Sequence, residues 1–455
     1  MTLAHQLAER ISALRYEDLP PEAVYWSRIA LLDTVGVTLA GAVEEAPRIL
    51  GDVLELHPDS GNSLIFGGKR RVSCLDAALV NSTAAHVLDF DNATNTMFGH
   101  AAATMIPARL AAAETHGASG RDLLVAHVAG FETGARLGRG LNLHHYEKGW
   151  HPTSTLGVIA VAAACARLLK LSVAQTATAL ALSTSLAAGI KANFGTMTKS
   201  LHSGQCSRSG LLAALLARKG FTANPDAFEH EQGFFNVYNG AGNYDASRII
   251  EGWGRPFDIV DPGACYKQYP SCASTHAAID AALMLAREHG PYTASMLTRV
   301  ESWTYAGRLM HTNRPLPANA LDAKFSVQYC LARALLCGKV LLEHFEGDAY
   351  RDAAVGGLLP RVHAMPYSGN YFPSGSHVRA EVKITLSDGR EFSARLEKPL
   401  GRTAQNPIAY DQIRTKFENC ALCALDPQAV AEVLRMAESF ENVDSVRKFT
   451  ALLES

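Results

Sequence analysis

Four short segments of this chain combine ionisable side chains whose types suit proton transfer beside negative charge. The first segment, His86-Val-Leu-Asp89-Phe-Asp91, ends a predicted helix with two carboxylates two residues apart, and a loop leads from it to His100. Carboxylates in such a place often only cap a helix or form ion pairs. Paired with histidines, they also suit general acid–base chemistry.

The second segment is Gly149-Trp-His151-Pro-Thr-Ser-Thr155, which places a histidine and three hydroxyl groups at the start of an apolar helix. The free N–H groups and the dipole of a helix N-terminus favour anions. His151 could serve merely as a helix cap. Its position next to an anion-binding terminus makes it equally a candidate for chemistry on an anionic substrate.

The third segment, 191–210, is predicted to connect two apolar helices at 173–190 and 211–219. Gly195 and Gly204 would let the backbone turn there. A buried cation is costly unless an anion meets it, so these side chains either point into solvent or hold an anionic ligand. The cationic side chains of the segment are Lys191, Lys199, His202 and Arg208.

The fourth segment, Tyr266-Lys267-Gln-Tyr-Pro-Ser271-Cys272, lies where the pattern of the chain changes from helical to mixed. Alone, Lys267 would be an ordinary lysine at a domain boundary. Together, two lysines, two histidines and a carboxylate pair at helix ends suit an anionic substrate on which protons are moved at carbon.

Other chemistries have weaker support in the sequence. It contains no Gly-x-Gly-x-x-Gly after a strand, no Walker A motif, no His-Glu-x-x-His and no Gly-x-Ser-x-Gly elbow. The one Cys-x-x-Cys, Cys420 to Cys423, lacks a second pair at zinc spacing. We therefore expect both cysteines to be buried on one helical face, and cofactor-free acid–base chemistry is the remaining prediction.

Composition predicts a globular protein of two or three domains. The chain has 455 residues, 48% apolar and 19% charged, with a net charge of −2. This balance argues against nucleic acid as a partner, and no apolar run is long enough to span a membrane. Nine thinly spread cysteines and a start without a secretory signal predict a reducing, cytoplasmic location.

The hydrophobic pattern predicts a mainly α protein with an α+β part. After about residue 262 strands appear at 297–305, 377–386 and 391–396, with Asp388-Gly389 forming the turn of a hairpin. The chain then returns to helix at 412–422 and 427–440, so the α+β part could be an inserted lid. In the first half, the small apolar residues predict closely packed helices at Val24–Leu39, Cys74–Leu88, Ala101–His116, Arg121–Leu137 and Leu156–Leu169.

These four segments, together with Ala323-Lys-Phe-Ser326, resemble motifs of the MmgE/PrpD family. That family includes 2-methylcitrate dehydratase, cis-aconitate decarboxylase and iminodisuccinate epimerase. The resemblance covers nearly the whole chain and implies a large helical domain made from both chain ends, plus a smaller α+β lid, in a homodimer. We place the helical domain at 1–266 and 403–455 and the lid at 267–402.

The resemblance also implies the site residues, with no metal or organic cofactor. The implied catalytic residues are Asp89, Asp91, His100, His151, Lys199 and Lys267. The implied substrate-binding residues are Thr153, Thr198, His202, Ser271 and Cys272.

Two departures argue against the decarboxylase and dehydratase branches, whereas the Gly99-His100 loop and the motifs at 149–157, 193–199 and 270–272 look most like iminodisuccinate epimerase. Decarboxylase-like members carry Asp-Thr where this chain has Asn92-Ala93, and a histidine where it has Cys272. The leading hypothesis is therefore an epimerase that moves the α-proton of an iminodisuccinate-type dicarboxylate. The alternatives are a lyase acting on 2-methylcitrate or cis-aconitate, and a non-catalytic protein that binds a polycarboxylate.

Overall fold

The chain divides into two compact units, which we describe from a computed structural model covering residues 1–55, 60–367, 378–397, 399–401 and 406–455. The first unit contains residues 1–193, 197–266 and 403–455, and the second contains 194–196 and 267–402. The first is built from helices and the second combines helices with a sheet. The predicted fold class, mainly α with an α+β part, is confirmed.

Small side chains allow the helices of the first unit to pack closely. In the helix from Gly157 to Leu168, Ala160 and Ala164 have no exposed surface, and a Cβ on Gly130 would lie 2.7 Å from the Ala160 carbonyl oxygen. The helices up to residue 266 are α1 Leu3–Ala13, α2 Pro21–Ala42, α3 Glu45–Val53, α4 Cys74–Val87, α5 Ala101–His116, α6 Gly120–Leu141, α7 His144–Glu147, α8 Pro152–Thr155, α9 Gly157–Leu168, α10 Val173–Thr184, α11 Met197–Arg218, α12 Phe234–Tyr238 and α13 Ser247–Ile250.

Two short antiparallel strand pairs complete this part of the first unit. Strand β1, Ser63–Leu64, pairs with β2, Arg71–Val72. Strand β3, Ala93–Thr94, pairs with β4, Ala264–Cys265, and so fixes the loop that follows α4.

The second unit is a four-stranded sheet covered by helices, with strand order β6-β5-β7-β8. Strand β5 runs parallel to β6 and antiparallel to β7, and Gly389 has φ +83° in the predicted turn between β7 and β8. Alternate residues of β7 are buried, as its sequence pattern predicts. The elements are β5 Leu297–Tyr305, β6 Val362–Tyr367, β7 Ala380–Leu386, β8 Glu391–Leu396, α14 His276–His289, α15 Ala306–Thr312, α16 Ala320–Ala323, α17 Val327–Cys337 and α18 Ala353–Leu358.

The C-terminal segment packs back into the first unit with helices α19, Tyr410–Ala421, α20, Pro427–Glu438, and α21, Val446–Thr450. Helix α19 lies so close to α2 that a Cβ added to Gly36 would be 3.2 Å from the Phe417 Cα atom. Both ends of the chain therefore contribute to one helical core.

The prediction that 191–210 is a connection is wrong for most of its length. Helix α10 ends at Thr184, and α11 begins at Met197, so Lys199 and His202 lie in its first turns. Gly195 does adopt a left-handed turn, with φ +85°. Gly204 instead lies inside α11, where its missing side chain lets α11 approach the Leu79 carbonyl and the Thr83 hydroxyl of α4.

The prediction for the Cys-x-x-Cys pair is also wrong in part. Cys420 is buried at the end of α19, but Cys423 lies beyond the helix and is exposed. The predicted start of one strand at His377 and the predicted boundary at residue 402 lie outside the described residues. Among the helices of the described ranges, none is both long enough and apolar enough to cross a membrane.

We predict that Gly204→Ala lowers the free energy of unfolding by roughly 1–3 kcal/mol, since overpacking in a filled interior costs that much. The new Cβ would lie 2.5 Å from the Leu79 carbonyl oxygen, which is backbone and cannot rotate away. Urea denaturation would measure the loss. Gly51→Ala in α3 is the matched control, because no atom lies within 4 Å of its added Cβ, and it should be neutral or slightly stabilising. Equal stability of the two variants would contradict the prediction.

Candidate functional site

The loop between α4 and α5 carries both predicted carboxylates. Helix α4 contributes His86 in its last turn, and Asp89 follows with φ +51°, a left-handed conformation that non-glycine residues seldom adopt. Strand β3 then holds the chain before it turns to His100, the N-cap residue of α5. The two ends of the loop therefore bring His86 and His100 to either side of the carboxylates.

Asp91 accepts contacts from both of these histidines. His86 Nδ1 lies 3.0 Å from both Asp91 oxygens, and His100 Nδ1 lies 2.9 Å from Oδ2. Asp91 has no exposed surface. Burial acts to raise the pKa of Asp91, but the two imidazoles outweigh it, and the pKa lies well below its usual value. The carboxylate is therefore ionised at neutral pH.

Lys199 joins the loop from helix α11. Its Nζ lies 3.0 Å from Asp89 Oδ1 and 2.9 Å from His86 Nε2. Since an ammonium group has only donors, His86 Nε2 accepts, and the ring proton is placed on Nδ1, facing Asp91. His86 thus bridges a cation and an anion as a neutral ring. Burial is the main cause that lowers the pKa of His86, to about 4.

A second pair of histidines lies beside this bridge. His151, the N-cap residue of α8, has its ring centroid 5.9 Å from that of His86, nearly parallel to it. Its Nδ1 lies 3.2 Å from His202 Nδ1. Burial lowers the pKa of His151 well below its usual value, and Lys199 adds to the effect. His151 is therefore neutral at neutral pH, so one of its two ring nitrogens carries no proton.

We call this group the buried polar cluster; its members are His86, Asp89, Asp91, His100, His151, Lys199 and His202. The Thr153 hydroxyl supports the cluster by accepting a bond from the His100 backbone N–H, at 3.1 Å. Thr198 is half-buried and precedes Lys199 in the first turn of α11. Most of the cluster is buried, whereas the His100 side chain is 13% exposed. The first unit thus brings together five of the six predicted catalytic residues.

The remaining predicted site residues belong to the second unit. Lys267 is fully buried there, and Ser271 Oγ lies 3.0 Å from Thr275 Oγ1. Cys272 is half-buried and donates its backbone N–H to the Lys324 carbonyl at 2.9 Å. Their roles stay predictions.

Four members of the buried polar cluster have the donor types that bind divalent cations. One ligand atom from each of His86, Asp89, Asp91 and His100 lies within 4.8 Å of the others. Lys199 Nζ contacts two of these four residues and already places a cationic group against them. The expectation of no metal stays a prediction.

One residue that no sequence motif singles out, His145, supports His151. His145 on α7 is fully buried, with Nδ1 2.7 Å from Asn239 Oδ1 and Nε2 2.7 Å from Thr155 Oγ1. Thr155 is the last residue of the short helix α8, whose N-cap residue is His151. The Thr155 hydroxyl lies 3.2 Å from the His151 carbonyl oxygen. The only signal in the sequence was a pair of adjacent histidines shortly before the second segment.

We predict that His145 makes stability depend on pH. The unfolded histidine has a pKa of about 6.5, whereas burial lowers the pKa of His145 in the folded protein to about 4. Between these values the unfolded chain binds the extra proton, so stability falls as pH drops through this window. His145→Gln should make that decline shallower, by up to about 1.4 kcal/mol per pH unit.

Urea unfolding at pH 7, 6, 5 and 4.5 would measure this slope. His363→Gln, at an exposed position on β6, is the control and should leave the decline as in the wild type. A decline in His145→Gln as steep as in the wild type would contradict the prediction.

Comparison with known proteins assigns the chain to a family. The MmgE/PrpD N-terminal domain matches residues 5–247, and the MmgE/PrpD C-terminal domain matches 269–442. The human cis-aconitate decarboxylase is 27% identical, in an alignment that covers 100% of this chain and 95% of the relative. A cis-aconitate decarboxylase-like protein of Aspergillus oryzae is 26% identical over 98% and 96%, and the Aspergillus terreus cis-aconitate decarboxylase is 25% identical over 97% and 94%. By its matches at both ends, this chain is a member of the MmgE/PrpD family.

Proposed function

We propose that this chain is an acid–base lyase that acts on a small polycarboxylate, with decarboxylation of a cis-aconitate-like acid as its reaction. The observation that carries the proposal is the bridge in which Lys199 Nζ contacts both Asp89 and His86, beside the neutral ring of His151. The relatives are decarboxylases by name, so the lyase alternative has more support than the epimerase that the motifs favoured.

The cluster can meet the chemical needs of this reaction. When a carboxylate leaves as CO2, the electron pair of the broken C–C bond stays on the neighbouring carbon, and one proton must be delivered there. Lys199 is placed to stabilise the negative charge that develops. His100, the partly exposed member on the Asp91 side, is placed to deliver the proton, because Asp91 orients its ring through Nδ1.

The resemblance of the motifs keeps the epimerase as a second candidate, because it implies two differences from decarboxylase-like members. Cys272 stands where decarboxylase-like members carry a histidine, and Asn92 stands where they carry an aspartate. In an epimerase, two groups of the cluster would remove and return an α-proton on opposite faces of the substrate. Neither CO2 nor water would leave the substrate.

Proton NMR in deuterated buffer distinguishes these functions. With cis-aconitate the proposed decarboxylase forms CO2 and a dicarboxylate that carries deuterium at the protonated carbon. With iminodisuccinate stereoisomers an epimerase exchanges the α-hydrogen without net loss of substrate, and 2-methylcitrate tests dehydration. Binding without turnover of any of the three acids would contradict both enzymes and favour a polycarboxylate-binding protein.

We predict that Lys199→Ala lowers kcat by about 10²–10⁴-fold, because losing a proton-transfer group or a donor to developing charge has effects of this size. Initial rates with the acid that the wild type consumes would measure the loss. Lys219→Ala, an exposed lysine just beyond the end of α11, is the matched control and should keep the wild-type rate. A folded Lys199→Ala protein with wild-type kcat would overturn the assigned role.

A further inference from the structure

The loop that carries Asp89 and Asp91 is held by a residue from the far end of the chain. Lys416 on α19 places its Nζ 2.6 Å from the backbone carbonyl oxygen of Phe90, the residue between the two carboxylates. The same nitrogen lies 3.9 Å from the centroid of the Phe90 ring. A shift of this one peptide would therefore move both carboxylates.

Asp33 on α2 contacts both Lys416 and the loop. Lys416 Nζ lies 2.6 Å from Asp33 Oδ1, and Asn92 Nδ2 donates to Asp33 Oδ2 at 3.1 Å. Lys416 is 8% exposed, Asp33 1% and Asn92 not at all. The loop is thus bonded at two points, through the Phe90 carbonyl and through the Asn92 side chain.

A buried ion pair of this kind is weak evidence for a gain in stability. Removing a lysine and a carboxylate from water is costly, and apolar residues of equal volume often replace such a pair without loss. Here the pair also fixes a loop in which Asp89 has φ +51°, and a conformation of this kind persists only where its surroundings hold it.

We propose that Lys416 is a positioning residue of the candidate site: with Asp33 it fixes the Phe90 peptide and so sets the distances of Asp89 from Lys199 and of Asp91 from His86 and His100. This inference rests on the proposed function for its consequence in turnover. Its structural part, that Lys416 holds the loop, can be measured without any substrate.

Three variants separate positioning from stability: Lys416→Met, Asp33→Asn and the double variant. Lys416→Met leaves the Asp33 carboxylate buried without its cation, so its Tm should fall by several degrees. The double variant removes both charges and should recover most of that Tm. The carbonyl of Phe90 still lacks its donor, so kcat should stay about 10²-fold below wild type, with a smaller change in KM.

Arg136→Met is the matched control. Arg136 is likewise a buried cation, 2.7 Å from Glu132 Oε1, and it donates to the Glu251 carbonyl oxygen at 2.8 Å. It also contacts Gly252 and Asp258, and within the described residues none of these four partners belongs to the segment 88–94. It should lose Tm and keep kcat. If the double variant regains wild-type kcat along with Tm, Lys416 is only structural and the proposal is overturned.

Hydrogen–deuterium exchange gives the readout that is independent of activity. In the double variant, exchange in residues 88–94 should be at least several-fold faster than in wild type, while exchange in α9 is unchanged and Arg136→Met leaves 88–94 protected. Unchanged exchange in 88–94 would overturn the proposal. If the wild type turns over none of the tested acids, the proposed function fails, and the exchange result still decides whether Lys416 holds the loop.

Discussion

Negative charge inside an apolar helical bundle is the constraint on which the first unit depends. Burying a carboxylate without a partner is costly enough that it would be protonated instead. Asp91 avoids this through two imidazoles, Asp89 through Lys199 and Asp33 through Lys416. Each anion therefore has a defined cationic or N–H partner, and the partners fix one another's orientation. Such pairing restricts the orientation of the side chains, which suits a site that must hold reacting groups in place.

The small side chains of the bundle decide whether these partners can meet. His86 belongs to α4 and Lys199 to α11, and their 2.9 Å contact requires the two helices to lie close together. Gly204 permits that approach, because any side chain there would collide with the backbone of α4 at Leu79. The glycines and alanines that make the core dense thus also set the spacing of the candidate site.

Burial keeps the histidine rings of the cluster neutral, whereas the neighbouring imidazoles keep Asp91 charged against the effect of burial. The pKa of His86 falls to about 4 and that of His151 falls well below its usual value, so both rings are neutral at neutral pH. The pKa of Asp91 also falls, so it keeps its negative charge. Neutral rings therefore lie beside a fixed anion and the Lys199 ammonium group. This arrangement is compatible with the lyase proposed above.

The sequence by itself determined the elements whose signals are local. The helix at 101–116, the strand at 297–305 and the turn at Gly389 follow from periodicity and turn chemistry, and the structure has them where they were predicted. Family motifs also selected the residues of the buried polar cluster. The sequence misplaced Lys199 in a loop, because its glycines and polar residues resemble a turn, whereas contact with α4 favours helix there.

Only the tertiary structure decided which residues support the cluster. Lys416 and Asp33 are 383 residues apart, and neither stands out from its neighbours in charge or spacing. His145 gains its role from Asn239, which is 94 residues away. The local pattern of apolar residues predicts which face of a helix is buried, but it does not predict which residues that face contacts. Such pairings form only when distant parts of the chain fold into one core. Each contact is then necessary, because an unpaired polar group buried in that core would be costly.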